Sequence, residues 1–293
     1  MGAYSIKPVD ILTLIFLSFL MTTTVIFAEN IPGWRLLMFI YLMLSIILIS
    51  LIYFRGRNPA LTFEIIHDIL FPVIVVLLIF DSLGGIVHYI NPRDIDPILI
   101  KIDYSIFGVH PTVWLERLST PLLTDILHIS YTTYYFLPII LGIILKLKKK
   151  HAEFDLTIFL ILLGFYTSYI GYILFPALGP RFTIEHLHAS EITGSGITQW
   201  IRQTLDSLEG IKRDAFPSGH TEIVLILLYI VWRFEKLLFY IYIPLIVMLM
   251  FSTVYCRYHY VIDVLAGGLL AVVCILIGPK LYNLLEFNKQ RRI

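Results

Sequence analysis

The chain has 293 residues, 58% of them hydrophobic, and a mean hydropathy of +0.84, which is too apolar for a water-soluble domain, where about half the residues are apolar. Its 22 basic and 21 acidic residues leave a formal charge of +1, which excludes the basic surplus of a nucleic-acid binder. The partners that remain are lipids and other membrane proteins.

Stretches apolar and long enough to cross about 30 Å of hydrocarbon fall at 9–28, 34–54, 69–90, 125–145, 156–175, 218–233, 237–254 and 260–279. This predicts an all-α integral membrane protein of about eight transmembrane helices. The first stretch follows Lys7 and has bulky Ile26 where a cleavage site needs a small residue, so it reads as a retained helix. The sixth is short, and is expected to begin at headgroup depth. Lys and Arg accumulate on the cytoplasmic side of short loops. With the N-terminus inside, Lys7, Arg55, Arg57, the run Lys146 to Lys150, Arg233, Lys236 and the C-terminal cations put 13 of the 22 basic residues there. Both termini are then cytoplasmic.

On this topology residues 1–60 form two accessory helices, and 61–293 form a six-helix catalytic core with outer-face segments at 91–124 and 176–217. The first outer segment mixes Asp94, Asp96, Asp103 and Arg117 with Trp114, as an interfacial helix would. The second contains Gly194-Ser195-Gly196 and a short amphipathic helix around Trp200 to Leu208. Tyr131, Tyr134 and Tyr135 suit either an interfacial aromatic belt or ordinary helix packing. Asp81, near the middle of the third stretch, and Glu222 are acids at depths that usually face a bundle interior or a wet cavity, which makes both candidates for a substrate pocket. For Asp81 a hydrogen bond between helices is an equal alternative. Cys256 and Cys274 lie roughly 27 Å apart if joined by helix, beyond disulfide reach.

Three polar motifs sit at the outer ends of these spans. In chain order they are Phe175-Pro176-Ala177-Leu178-Gly179-Pro180-Arg181, then Phe216-Pro217-Ser218-Gly219-His220-Thr221, then Arg257-Tyr258-His259-Tyr260-Val261-Ile262-Asp263. Arg181 follows a Gly-Pro turn, where a guanidinium can grip phosphate oxygens two at a time. Ser218 and Gly219 precede a helix, so a hydroxyl, backbone amides and the helix N-terminus can together hold an anion. His220 opens that helix and is a candidate general acid. His259 and Asp263, four apart, share one helix face, which lets the carboxylate hold one ring nitrogen and leave the other free as a nucleophile. His151 and Asp155 have the same spacing but follow the lysine run on the inner side. Topology separates site from decoy. Arg257 is a second candidate clamp or a headgroup anchor, and Lys212 and Arg213 are further cations beside the second motif. His186 and His188, next to Glu185, could ligate a metal, but no third ligand stands at a known spacing, which favours a solvated loop.

Phe-Pro-Ser-Gly-His-Thr, followed a span later by His-Tyr-x-x-Asp-Val-Leu-Ala-Gly and preceded by a Pro-Arg turn, resembles the type-2 phosphatidic acid phosphatase superfamily over residues 70 to 280. The resemblance implies a six-helix core in which His259 attacks phosphorus to form a phosphohistidine and Asp263 orients it. It also implies that His220 protonates the leaving group and that Ser218, Gly219 and Arg181 bind phosphate, with no metal or cofactor. The substrate would be a phosphorylated membrane lipid at the periplasmic, extracellular or lumenal face. Leu174, Phe182 and Thr253 depart from the phosphatase pattern, which has lysine, proline and arginine there. The Pro-Arg turn and the Arg-Tyr-His-Tyr form look more like the inositol-phosphorylceramide-synthase and sphingomyelin-synthase branch, which passes a phospho-headgroup to a lipid alcohol. A reading of another class, an anion or proton transporter, would place broken helices or inverted repeats at the midplane rather than polar residues at one face.

Overall fold

A computed structural model describes residues 6–57, 61–208 and 211–290, and all regular structure among them is helical. The chain is a multi-pass helical membrane protein. Helix α1 runs over Pro8–Ile26, α2 over Trp34–Arg57, and α3 over Leu61–Ile65, a single π-helical turn at Ile66–Leu70, and Phe71–Leu83. A short helix, α4 (Asp96–Phe107), precedes α5 (Pro121–Leu147) and α6 (His151–Leu174). An amphipathic helix, α7 (Gly196–Leu208), comes before α8 (Gly219–Phe234), α9 (Lys236–Tyr255) and α10 (Val261–Gln290).

Seven helices among the described residues are long and apolar enough to cross a bilayer: α1, α2, α3, α5, α6, α9 and α10. The eighth expected span is α8, whose 16 residues reach only about 24 Å at 1.5 Å per residue. Its apolar side chains Ile223, Val224, Ile226, Leu227, Ile230 and Val231 are wholly buried. It is therefore the inner staff of the bundle, packed against α5, α6, α9 and α10, with protein covering most of its surface and Trp232 exposed near its end. The third span lies nearer the N-terminus than hydropathy suggests, because the chain turns at Gly84 and Gly85, whose amides donate back to Asp81 and Ser82 carbonyls. Asp81 thus sits in the last turn of α3 and is exposed. It faces neither a bundle interior nor a pocket, and the substrate-pocket expectation for it is corrected.

Helix α1 is built into the bundle. Phe16 stacks on Tyr166 of α6 with ring centroids 4.2 Å apart, and the Thr13 and Tyr166 hydroxyls are 3.0 Å apart. At the end of the bundle that carries the start of α1 and the α5–α6 turn, Lys7 Nζ reaches Asp68 Oδ1 at 2.8 Å and Asp155 Oδ1 at 2.7 Å. Lys146 Nζ lies 2.6 Å from Glu64 and 2.7 Å from Asp68 Oδ2. His67, carried inward with Asp68 by the π turn, is 2.7 Å from Asp68 Oδ1 and 2.9 Å from Asp10 Oδ1. The decoy acid Asp155 is thereby engaged by Lys7, at the end opposite the motifs.

Candidate active site

The three motifs meet at the other end and are woven together by backbone hydrogen bonds. The Ala215 amide donates to Ala177 O at 3.1 Å, the Arg181 amide to Arg257 O at 3.0 Å, and the Ser218 amide to Asp263 O at 3.0 Å. Two acids of α4 pin this weave from outside. Asp96 accepts the amides of Leu178 and Gly179 at 2.9 and 2.8 Å and the Tyr260 hydroxyl at 2.9 Å. Asp103 accepts the amides of Val261 and Ile262 at 2.8 and 2.9 Å, capping the start of α10 where helix donors have no internal partner. Gly179 turns there at φ +88°, a left-handed conformation open to glycine. Arg213, just before the second motif, reaches Asp94 through Nε–Oδ1 at 2.7 Å and Nη2–Oδ2 at 3.1 Å.

His259 is buried between α9 and α10. Its Nδ1 lies 2.7 Å from the carbonyl of Ala215, and a carbonyl can only accept, so Nδ1 carries the ring proton and Nε2 keeps its lone pair. Asp263 Oδ2 stands farther from Nδ1, at 3.5 Å, and is occupied by the Tyr260 amide at 2.8 Å. Ala215, rather than Asp263, is the direct orienting acceptor, and Asp263 fixes the turn through the Tyr260 amide. His259 Nε2 faces His220 Nδ1 at 3.4 Å. Burial pulls the His259 imidazole down to about 4, against the opposing charge of Asp214 and the Ala215 hydrogen bond. It is a neutral base at pH 7. Burial raises Asp214 above the usual carboxylate range, against the opposing influence of nearby His259 and Arg181.

His220 packs against Tyr134 and Tyr131, with ring centroids 4.3 and 4.6 Å away. Its Nε2 is buried with no partner among the described residues. Ser218 is the N-cap of α8, accepting the Thr221 amide at 3.3 Å. Gly219 is required by space, because a Cβ there would run into the Tyr172 hydroxyl and lie 3.2 Å from Ser168 Oγ. The helix start is already partly capped, which leaves the Ser218 hydroxyl and the His220 amide as the freest donors for an anion.

Glu222 has no access to a pocket. It is wholly buried between α6, α8 and α10 and accepts from Thr167 Oγ1 at 2.6 Å, Ser168 Oγ at 2.5 Å and Cys274 Sγ at 3.3 Å. The expectation that it lines a substrate pocket is corrected, because these three partners close it into helix packing. Arg257 takes a left-handed backbone at φ +65°, a conformation that costs a non-glycine residue about 1 kcal/mol or more. Its Nη2 donates to Ser190 O at 2.9 Å and lies 3.6 Å from Glu116. Arg181 lies over the rings of Phe182 and Tyr258. His188 Nε2 is 3.3 Å from Thr112 Oγ1.

Residues 98–277, more than half of the chain, match the family model of the PAP2 superfamily designated PAP2_3. The chain belongs to the PAP2 superfamily. It is also similar to a PA-phosphatase related-family protein of Dictyostelium discoideum, 23% identical over 190 residues that make up 58% of this chain and 34% of the relative. The chain thus spans about a third of the length of that curated relative. No solved structure matches.

Sequence reasoning passed over Ala215, Asp214 and the pinning function of Asp96 and Asp103. The seven-residue spacing of the two acids, which returns to one helix face after two turns, was the available signal.

Proposed function

We propose that this PAP2 superfamily member is a membrane lipid phosphatase or phosphotransferase working through a phosphohistidine on His259, at the face opposite the termini. The observation that carries this reading is the His259 ring, protonated at Nδ1 by its bond to Ala215 O and directing Nε2 at His220 Nδ1 3.4 Å away. The Nε2 lone pair attacks phosphorus, the bond from phosphorus to the lipid oxygen breaks, and His220 in its protonated form gives that oxygen a proton. An acceptor hydroxyl then attacks phosphorus, returns a proton to His220, and releases Nε2. In this reading Arg181 and the Ser218 hydroxyl hold the phosphate oxygens, and Arg181 supplies positive charge for the transition state. Asp263 stabilises the imidazolium-like charge that develops on His259.

Transfer to a lipid alcohol is a second reading, favoured by α7. Its Ile201 and Leu205 bury against Tyr131 beside Tyr258, and the Tyr131 ring lies 4.6 Å from Tyr258, stacked, and 4.6 Å from His220, tilted. A site roofed in this way can hold water off a covalent intermediate. The inositol-phosphorylceramide-synthase-like chemistry falls under this reading. The test is acid-quench trapping with a labelled lipid phosphate, with and without a lipid alcohol. The expected outcome is label on wild type and none on His259→Ala; label on His259→Ala would overturn the mechanism. Free phosphate as the product under every condition would exclude transfer.

A further inference from the structure

Segment 182–202 lies over a polar cavity of about 450 Å³ whose other side carries Arg181, Arg257 and Tyr258. Two carboxylates from outside the three motifs tie that segment down. Asp125 on α5 accepts the Ser195 amide at 2.9 Å and the Thr198 hydroxyl at 2.6 Å, which fixes the start of α7. Glu116, in the 3₁₀ turn Glu116–Leu118, accepts the Ala189 amide at 3.2 Å and both the amide and the hydroxyl of Ser190, at 2.5 and 2.6 Å. The remaining polar group of Ser190, its carbonyl, takes Arg257 Nη2 at 2.9 Å, and Glu116 Oε1 lies 3.6 Å from the same nitrogen. Ser190 is thus gripped between an acid and a base.

Arg257 is fitted for this grip rather than for holding phosphate. Its side chain is only 11% exposed and engages Ser190 and Glu116, while its own carbonyl accepts the Arg181 amide at 3.0 Å and it stands two residues before His259. One residue therefore touches the covering segment with its side chain and the phosphate-binding turn with its backbone. That backbone is left-handed at φ +65°, a conformation that glycine adopts freely and arginine only under strain. At such a position the side chain has to compensate, and the contacts available to it are those with the covering segment. Closure is not fully satisfied either, because Arg257 Nε is buried with no partner among the described residues, and an unpaired donor weakens the closed state. A contact held against backbone strain and an unpaired donor is one that can let go.

We propose that Glu116, Ser190 and Arg257 form a latch that holds segment 182–202 over the site, with Arg257 as a positioning residue that passes closure to Arg181 through its carbonyl. With the latch made, Arg181 is set for the phosphoryl group and the covalent intermediate is covered. With the latch open, the cavity is uncovered for exchange of substrate and product. The inference rests on the reading above for where the phosphoryl group sits.

Trypsin reports the latch without turnover, because cleavage after Arg202, on a helix of the covering segment, follows the population of open molecules. The full-length protein in detergent is digested with and without orthovanadate, a phosphoryl analogue whose binding is measured calorimetrically on the same samples. Without vanadate, Glu116→Gln and Arg257→Gly are each expected to be cut about tenfold faster than wild type, the scale of one lost charge-assisted hydrogen bond. Arg257→Gly should keep the wild-type melting temperature, because glycine relieves the left-handed strain. Vanadate should slow the wild-type cut by about fivefold or more and change either variant by less than about twofold, since ligand binding shifts the closing equilibrium only where the latch can form. Wild-type cutting rates in both variants overturn the latch, as does vanadate that binds wild type without slowing its cut. An Arg257→Gly protein that melts early, beside a Glu116→Gln protein cut like wild type, also overturns it, because the faster cut is then unfolding. Vanadate that fails to bind counts against the phosphoryl site of the reading above, while the cutting rates without it still decide the latch.

Discussion

The two ends of the bundle each hold a buried histidine beside carboxylates, yet they are built on opposite plans. At the termini-bearing end His67 lies between Asp10 and Asp68, and Asp68 in turn takes Lys7 and Lys146. Charges there are matched, although His67 Nε2 stands at ion-pair distance from Asp10 without the alignment of a hydrogen bond. At the motif end the groups are placed just as rigidly but left incomplete. Of six buried side-chain atoms without a partner among the described residues, four belong to His188, His220, Arg257 and Asp263. In a low-dielectric interior a matched network stabilises the fold, while a buried polar group without a protein partner is costly and calls for water or a ligand. The incompleteness, more than the histidine–carboxylate pairing itself, separates a site from a strut.

Substitutions at the two ends should therefore fail in opposite ways. His259→Ala has the largest expected effect, a loss of about 10³-fold or more in kcat with an unchanged melting temperature in detergent. Comparable turnover in that variant would remove the distinction altogether. Asp68→Ala, which takes one of two acids from each of Lys7, Lys146 and His67, should cost about 1–3 kcal/mol of stability. The molecules that remain folded should keep the wild-type kcat. A marked fall in kcat per folded molecule would mean that the opposite end takes part in the chemistry.

Asp96→Asn sharpens the contrast, because Asp96 touches no reacting atom and acts by pinning Leu178, Gly179 and Tyr260. Misplacing Arg181 through that turn should lower kcat/KM by about ten- to a hundredfold, and a crystallographic or spectroscopic probe of the turn should report the movement. An effect under twofold would show that the backbone weave holds alone.

The smallest effect concerns pH. His259 acts as the neutral base, so protonation is what removes it, and burial places that event near pH 4 rather than in the ordinary histidine range. The kcat limb governed by His259 should stay flat as pH falls from 8 to 5 and drop only as it approaches 4. Asp214 and Arg181, the charges acting on the ring, oppose one another in setting that position. A limb near 6.5 would mean that the ring is solvated.

Membrane embedding and the three motifs could be read from the amino-acid sequence because both are local. Hydropathy is a sum over contiguous residues, and the Pro-Arg, Ser-Gly-His and His-x-x-x-Asp patterns each fit within one turn or helix start. His220 and His259 were legible for that reason, and the structure places them 3.4 Å apart. What only the tertiary structure decided are partners far apart in the chain. The Ala215 carbonyl lies 44 residues from the ring it orients, and Asp103 lies 158 residues from the Val261 amide it caps. The same distance problem hid the fates of the two intramembrane acids. Asp81 looked internal but lies exposed where Gly84 and Gly85 end its helix, while Glu222 looked accessible but is sealed by Thr167, Ser168 and Cys274. Periodicity gives the face of one helix on which a residue sits. Whether that face meets lipid, a cavity or another helix depends on how the whole bundle closes, because burial and hydrogen-bond satisfaction are properties of the packed assembly.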